Sequence, residues 1–578
     1  MRSIRQIAGR AALASLVPLT LFGIAELALR VLDLGYPTEF LLETTVRGRA
    51  ALVDNPFYGY RFFTPALARN PAPILTSRDK PADTVRVVVL GESAAQGDPL
   101  MQFGLPRMLQ TVLNGAAATG RFEVINAAMT AINSSVIVDI ARETTACRPD
   151  LYVLYIGNNE VIGPYGPGTV FTALPGLTRM APWRVSLTGW RLAFFLREGL
   201  TSLFPSRPGS SKWSGLAMFS ERPVPFGDRS LGPMYDLFER NIRAIVNCAR
   251  DAGAQVILST VAVNLSDCPP FGGPEAASAF ALAREQQDRA GYKKARDLDI
   301  YRFRTDGMLN ERLRKLAGEL RVPLADAERA FDDADADADF FVDHVHFTFS
   351  GTHRLASTIA GAVAGLYPGR FPPAAWPDEA RCRGELFYTP WSELQMAMIM
   401  LDRRRQPPFD RQPDNAACLL RLEDEAKRLS VQIAQTDPAE LASRYEALKS
   451  KNPEDFFLPF DWGAILSDRS RWADAAEVLL PALELVPLHF EARKLPALAL
   501  CRSGKTEEAA GVLLGPEKRR GYFVADYALE IMGLLAAEGQ KEQAAALGRA
   551  LLEKDPRLPW HECIEAMTKR LEGRRADE

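Results

Sequence analysis

Five short, continuous apolar runs punctuate the first part of this chain: VRVVVL (85–90), FEVINA (122–127), LYVLYI (151–156), QVILSTVAV (255–263) and VPLADA (322–327). A strand solvated on one face alternates apolar and polar residues, whereas one covered on both faces reads as an unbroken apolar stretch. Helical patterns at 103–117, 134–146, 233–252 and 296–320 separate the runs. Strands alternating with helices over this length predict a three-layer α/β domain with a parallel sheet, placed at 84–365.

The flanks differ from this core. Arg2, Arg5 and Arg10 precede the apolar residues 11–29, AALASLVPLTLFGIAELAL. As a helix these residues span about 28 Å, the thickness of a hydrocarbon core. Arginines on the short side keep that end cytoplasmic, and no small-x-small cleavage site follows. The expectation is an uncleaved signal anchor over 1–34, a single transmembrane helix in a bacterial inner membrane, with the bulk of the chain periplasmic. Residues 35–83 are aromatic and Pro-rich and read as an extended lead-in, and 366–429 reads as a Pro-rich linker. Beyond it the pattern is helical. RWADAAEVLLPAL, KTEEAAGVLLG and QKEQAAALGRALL place Ala475 and Ala509 34 residues apart and Ala544 35 further on. This period, with small residues at the helix crossing, resembles a tetratricopeptide array. The expectation over 430–570 is an all-α tetratricopeptide-like domain, with a protein partner on its repeats.

Several classes are excluded. With 47% hydrophobic and 24% charged residues and a net charge of −3, the chain has no electrostatic footprint for nucleic acid. Seven scattered cysteines, without a CxxC pair, give no zinc spacing; Cys268 in DCPPFGG reads as a small residue packed in a loop rather than a surface thiol. Asp333, Asp335 and Asp337 imitate a calcium loop, but Ala338 stands where glycine is needed and His344 where a bidentate glutamate belongs. That stretch reads as a solvated acidic loop, and no metal is expected. The insertion at 163–230, with Trp183, Trp190, Phe194, Phe195 and Phe204, is too long for a plain connection. A lid, a substrate wall, a membrane-surface contact and a separately cored decoration all fit it.

The chemistry concentrates at strand ends. GESAAQGDP (91–99) follows the first run and offers Ser93. A serine hydroxyl is a weak nucleophile until a base takes its proton. Three of the five histidines lie in FVDHVHFTFSGTHRLA, where Asp343 and His346 are three apart. That spacing lets the carboxylate accept from one ring nitrogen while the other faces outward, the orienting role of the acid in a Ser–His–Asp triad. Two more strand-end loops can supply oxyanion donors: YIGNNE offers Asn159, and NAAMTAINSS offers backbone N–H groups around Ala131.

In this order the blocks resemble the SGNH/GDSL hydrolase superfamily. Gly91-Glu92-Ser93 stands for Gly-Asp-Ser, Ala131 for the glycine of the second block, Gly157-Asn158-Asn159-Glu160 for Gly-x-Asn-Asp, and Asp343-His344-Val345-His346 for Asp-x-x-His. The resemblance implies a flavodoxin-like three-layer fold with Ser93 as nucleophile, His346 as base and Asp343 as its orienter. It further implies an oxyanion hole of Asn159 with the Ala131 and Ser93 amides, supported by Gly91, Glu92 and Gly157. No metal or organic cofactor is needed. The implied activity is that of a serine esterase on ester-bearing carbohydrate or lipid. An O-acyltransferase charging a cell-surface polysaccharide, or a non-catalytic repeat scaffold, is the alternative. The α/β-hydrolase elbow is disfavoured by Ala95 and by the close acid–base spacing, and no G-x-G-x-x-G follows any strand.

Overall fold

Eight strands form two sheets among the residues that the computed structural model describes, namely 2–171, 180–203, 215–332, 337–372, 376–516, 521–558 and 560–573. β1 (Leu41–Val46), β2 (Arg49–Asp54) and β3 (Leu75–Thr76) make an antiparallel sheet. β4 (Thr84–Gly91), β5 (Arg121–Asn126), β6 (Leu151–Tyr155), β7 (Gln255–Ser259) and β8 (Leu324–Ala325) make a parallel sheet in the order β5-β4-β6-β7-β8. Each comes from one of the apolar runs. β7 is shorter than its run because, beyond Thr260, whose N–H still donates to Ala325 of β8 (3.2 Å), the amides find other acceptors: Val261 N–H donates to Asn310 (2.8 Å) and Ala262 N–H to the Tyr155 hydroxyl (3.1 Å).

Val87, Val88, Val89 and Leu90 of β4 are fully buried, as a strand between two layers must be. Val87 and Val89 join a core with the helices Leu105–Ala116 and Phe349–Leu366. Val88 and Leu90 join the opposite core, with Ser134–Thr144, Leu231–Asp251 and Gly307–Leu320. The parallel sheet is therefore the middle of three layers, as the runs predict. Because β5 and β6 flank β4 on opposite sides, the loops leaving these strands diverge and open a crevice at the end of β4.

The expected lead-in is more structured than its composition suggests. β1 and β2 form a hairpin whose two loop residues, Arg47 and Gly48, both hold positive φ (48° and 77°), matching the twist of the strands it joins. Tyr36, Phe57 and Tyr60 then pack against Phe194, Phe490 and Phe523, with ring centroids 4.6 to 6.2 Å apart across the cluster. The 366–429 segment also departs from a wrapping linker, since it carries the helices Glu379–Glu385, Pro390–Arg404 and Asn415–Gln435. Pro390 takes a first helical position, where a missing N–H costs nothing, and Pro407, Pro408 and Pro413 fall between helices; Pro373 lies outside the described residues. From Phe457 to Leu571 the described chain is a succession of helices. They dock back on the lead-in, where His489 Nδ1 lies 3.1 Å from Asp54 Oδ2 with both side chains buried. They also reach the α/β domain, through Gln102–Asp461 (3.2 Å), and Asp455, just before the first of them, pairs with Arg107 (2.5 Å).

Among the described residues no helix is long and apolar enough to cross a membrane. This overturns the expected single-pass inner-membrane anchor, and the periplasmic placement built on it goes with it. The end of the N-terminal helix, Arg2–Val31, is engaged by protein instead. Glu26 is 8% exposed and accepts the backbone N–H groups of Arg191 (3.1 Å) and Leu192 (2.9 Å), which open the helix Arg191–Leu203. Arg30 pairs with the same carboxylate at 2.6 Å. Burial pushes Glu26 up, but the two amides and Arg30 outweigh it and hold the carboxyl below its ordinary value. The acidic residue within the apolar run is a cap for a neighbouring helix.

Within the described part of the 163–230 insertion, the helix Arg191–Leu203 faces the N-terminal helix and the lead-in, with Phe194 against Tyr36 and Tyr60. The helix Ala181–Thr188 packs on Ser134–Thr144, and Gly215, Leu216 and Phe219 line the cavity that also holds Ser93. Phe204, Asp333 and Asp335 lie outside the described residues. Asp337, from the expected solvated loop, is fully buried and paired with Arg289 at 2.9 Å. Cys268 is buried, as a packed loop residue should be.

Candidate active site

β4 ends at Gly91, and the chain turns at once into one helical turn, Ser93–Gln96. A Cβ on Gly91 would sit 2.3 Å from the Ala95 Cβ and 2.6 Å from the Tyr155 carbonyl oxygen, so the turn closes only over glycine. This places the Ser93 hydroxyl over the crevice. His346 Nε2 lies 2.9 Å from Ser93 Oγ, although the two residues are 253 positions apart in sequence. His346 Nδ1 lies 2.7 Å from Asp343 Oδ2, and Asp343 Oδ1 accepts the backbone N–H groups of Val345 and His346, each at 2.9 Å. The carboxylate can only accept, so the imidazole proton sits on Nδ1 and Nε2 is left to accept from the serine. The Asp343–His346 stretch is a bend closed by the Phe341–Phe347 bridge.

Two charged groups that sequence reasoning missed complete the cluster. Arg403 Nη1 donates to Asp343 Oδ2 (2.9 Å) and its Nη2 to Asp98 Oδ2 (2.8 Å), while that same Asp98 oxygen lies 3.4 Å from His346 Nε2. Burial pushes Asp343 up, but His346 and His344 outweigh it and hold the acid well below the usual carboxylate range. Burial lowers His346, but Asp343 and then Asp98 outweigh it and raise the imidazole above its ordinary value. For Asp98 burial acts upward, and Arg403 and then His346 bring the carboxyl below its ordinary value. His344 is lowered by burial, and its Nδ1 lies 3.2 Å from Asp343 Oδ1 without a hydrogen bond. Asp98 stands in the same loop as Ser93, so proximity in sequence was its one signal. Arg403 ends a helix within the expected linker, where nothing local marks it.

Asn159, Ala131 and Ser93 line one cavity of about 670 Å³. Ala131 holds φ at 64°, the left-handed region that favours glycine, so its backbone takes the glycine-like conformation at a cost of about 1–2 kcal/mol. Glu92 fixes the Asn159 loop. Its carboxylate accepts the N–H groups of Gly157 (3.3 Å), Asn158 (2.7 Å) and Asn159 (3.2 Å), tying the loop after β6 to the turn after β4. Glu160 accepts the backbone N–H (2.8 Å) and hydroxyl (2.7 Å) of Ser134 and so caps the helix that follows Ala131. Burial raises Glu160 to about 7, and burial together with Glu160 raises Glu92. The two glutamates thus brace the three loops from which all the candidate oxyanion donors come.

Ligand atoms of Asp343, His344 and His346 lie within 4.8 Å of one another, close enough to hold a metal ion. Both His346 nitrogens and both Asp343 oxygens are already engaged in hydrogen bonds, which fits proton transfer better than metal binding.

No family model matches the chain, and no curated protein sequence matches it. Solved structures do. A lipolytic protein of the G-D-S-L family from Desulfitobacterium hafniense is 12% identical and matches 48% of this chain and 99% of its own, with a TM-score of 0.26. A catalytic mutant of an acetylxylan esterase from Geobacillus stearothermophilus is 14% identical over 48% of this chain and 94% of its own, with a TM-score of 0.26. A lipase/acylhydrolase from Enterococcus faecalis is 14% identical over 50% of this chain and 99% of its own, again with a TM-score of 0.26.

Proposed function

We propose that this chain is an SGNH-type serine esterase acting on acyl esters of a carbohydrate or lipid. The observation that carries the reading is the unbroken relay Asp343 Oδ2–His346 Nδ1, His346 Nε2–Ser93 Oγ, at 2.7 and 2.9 Å, beside a cavity. In the first half-reaction Ser93 Oγ bonds to the ester carbonyl carbon as its proton passes to His346 Nε2. The oxyanion meets Asn159 and the amides of Ala131 and Ser93. The carbon–alkoxy bond breaks and the alcohol leaves with the proton from His346; water, deprotonated by His346, then attacks the acyl-serine, the carbon–Oγ bond breaks, and His346 returns that proton to Ser93 Oγ as the acid leaves. No step calls on a metal or an organic cofactor.

Transfer of the acyl group to a sugar hydroxyl is a second reading, supported by a cavity with room for an acceptor beside an acyl-serine. The helices from Phe457 onward we read as tetratricopeptide-like. The support is Ala475, Ala509 and Ala544, spaced by 34 and 35 residues and each fully buried.

The test is p-nitrophenyl acetate turnover by the full chain, with Ser93→Ala and His346→Ala. Each substitution is expected to lower kcat/KM by a factor on the order of 10⁴ or more. A fluorophosphonate should label the wild type at Ser93. Turnover that survives Ser93→Ala would rule this mechanism out. Acylated sugar in the presence of an oligosaccharide acceptor would select the transferase.

A further inference from the structure

The cavity over Ser93, at about 670 Å³, is in the size range of whole-ligand pockets and far larger than an acetyl group requires. Part of its wall comes from outside the α/β domain. Glu491, Phe523, Asp526, Tyr527 and Trp560, all from the C-terminal helical region, line it together with Arg69 of the lead-in.

The chemistry of that wall is mixed in a specific way. Glu491 and Asp526 are acceptors. Arg69 is a donor, lowered to about 10 by burial with Asp98, Glu491 and Tyr527 acting against the shift, and so still charged near neutral pH. Burial, followed by the charges of Glu491 and Asp526, raises the Tyr527 phenol, which therefore keeps its proton and can donate. Phe523 and Trp560 add ring faces. A wall for a fatty acyl chain would lack the carboxylates, and a wall for an anion would not set two of them beside one arginine. Hydroxyl groups both donate and accept, and the C–H face of a pyranose covers an aromatic ring, so this combination matches a polyhydroxylated ligand. Trp560 also holds φ at 59°, a conformation that bulky residues rarely adopt and that collects at ligand sites.

We infer that the C-terminal helical region holds the alcohol part of the substrate, an oligosaccharide, and that Glu491, Asp526, Tyr527 and Trp560 determine specificity for it. The inference rests on the esterase reading above. It makes the helical region part of the substrate site.

The test assays the full chain with p-nitrophenyl acetate and with mono-O-acetylated xylotetraose, mannotetraose and cellotetraose. Wild type is compared with Glu491→Gln, Asp526→Asn and Tyr527→Phe, after the melting temperature of each has been measured. For the best tetraose ester, kcat/KM relative to p-nitrophenyl acetate should fall at least ten-fold at an unchanged melting temperature, with most of the loss in KM. An unchanged ratio overturns the inference, as does an equal loss on both kinds of ester. Calorimetry of the three unacetylated tetraoses with Ser93→Ala separates the two readings. Tetraose binding that Asp526→Asn weakens, in a chain whose wild type turns over no ester, keeps the glycan site and removes the esterase. Turnover of p-nitrophenyl acetate by a chain that binds no tetraose keeps the esterase and removes the glycan site.

Discussion

Asp98 and Asp343 approach His346 from opposite ends of its ring, and Arg403 bridges the two acids. A general base works when neutral, so kcat/KM should rise with pH through the His346 transition. Asp98→Asn removes an anion that favours the imidazolium. The acid limb of the pH–kcat/KM profile should therefore move to lower pH, leaving the variant relatively more active near pH 6. A limb that stays in place would mean that Asp98 does not act on His346. At Ala131 the left-handed backbone predicts that Ala131→Gly gains about 0.5–1 kcal/mol, strain relief exceeding the entropy that glycine adds to the unfolded chain; thermal melting measures it. Ser93, Asp343 and His346 were legible because their chemistry sits in two short motifs at the ends of apolar runs. Arg403 was not, because its two ion pairs span 60 and 305 positions and charge pairs at such distances leave no local pattern.

At the scale of elements, the five strands of the parallel sheet were legible because burial on both faces forces an apolar run. The β1–β2 hairpin was not. Its six-residue strands carry threonine, glutamate and arginine on an exposed face, and its turn is Arg-Gly rather than a stronger signal. Glu26 misled for a different reason, since an apolar helix end and the docking face of a helix have the same composition. The His489–Asp54 contact is where two such elements meet, and its pH dependence has a definite sign. Burial lowers His489, but Asp54 outweighs it and raises the imidazole above its ordinary value. A raised histidine contributes stability that is complete below the unfolded-state value of about 6.5 and is lost as pH climbs through the folded-state value. Wild type should therefore melt above His489→Gln at pH 5.5, by the equivalent of about 1–3 kcal/mol, and the gap should narrow by pH 8.5. A gap independent of pH would show that the contact is uncharged.

Over the whole molecule, the sequence divides into segments that the structure binds into one surface. The lead-in is the joint: its aromatic rings touch the insertion through Phe194 and the C-terminal helices through Phe490 and Phe523. Tertiary docking of this kind follows no periodicity, so the helical character of the C-terminal region was legible without indicating what it covers. It also sets the order in which the molecule matures on the ribosome. His489 meets Asp54 across 435 positions. At about 5–20 residues per second, the Phe57–Tyr60 face waits some tens of seconds for its cover. Only in the last part of that interval, once residue 346 has been made, are Ser93, Asp343 and His346 all present while the wall bearing Tyr527 is not. Newly synthesised chain thus carries an uncovered aromatic face before the cavity over Ser93 has all of its walls.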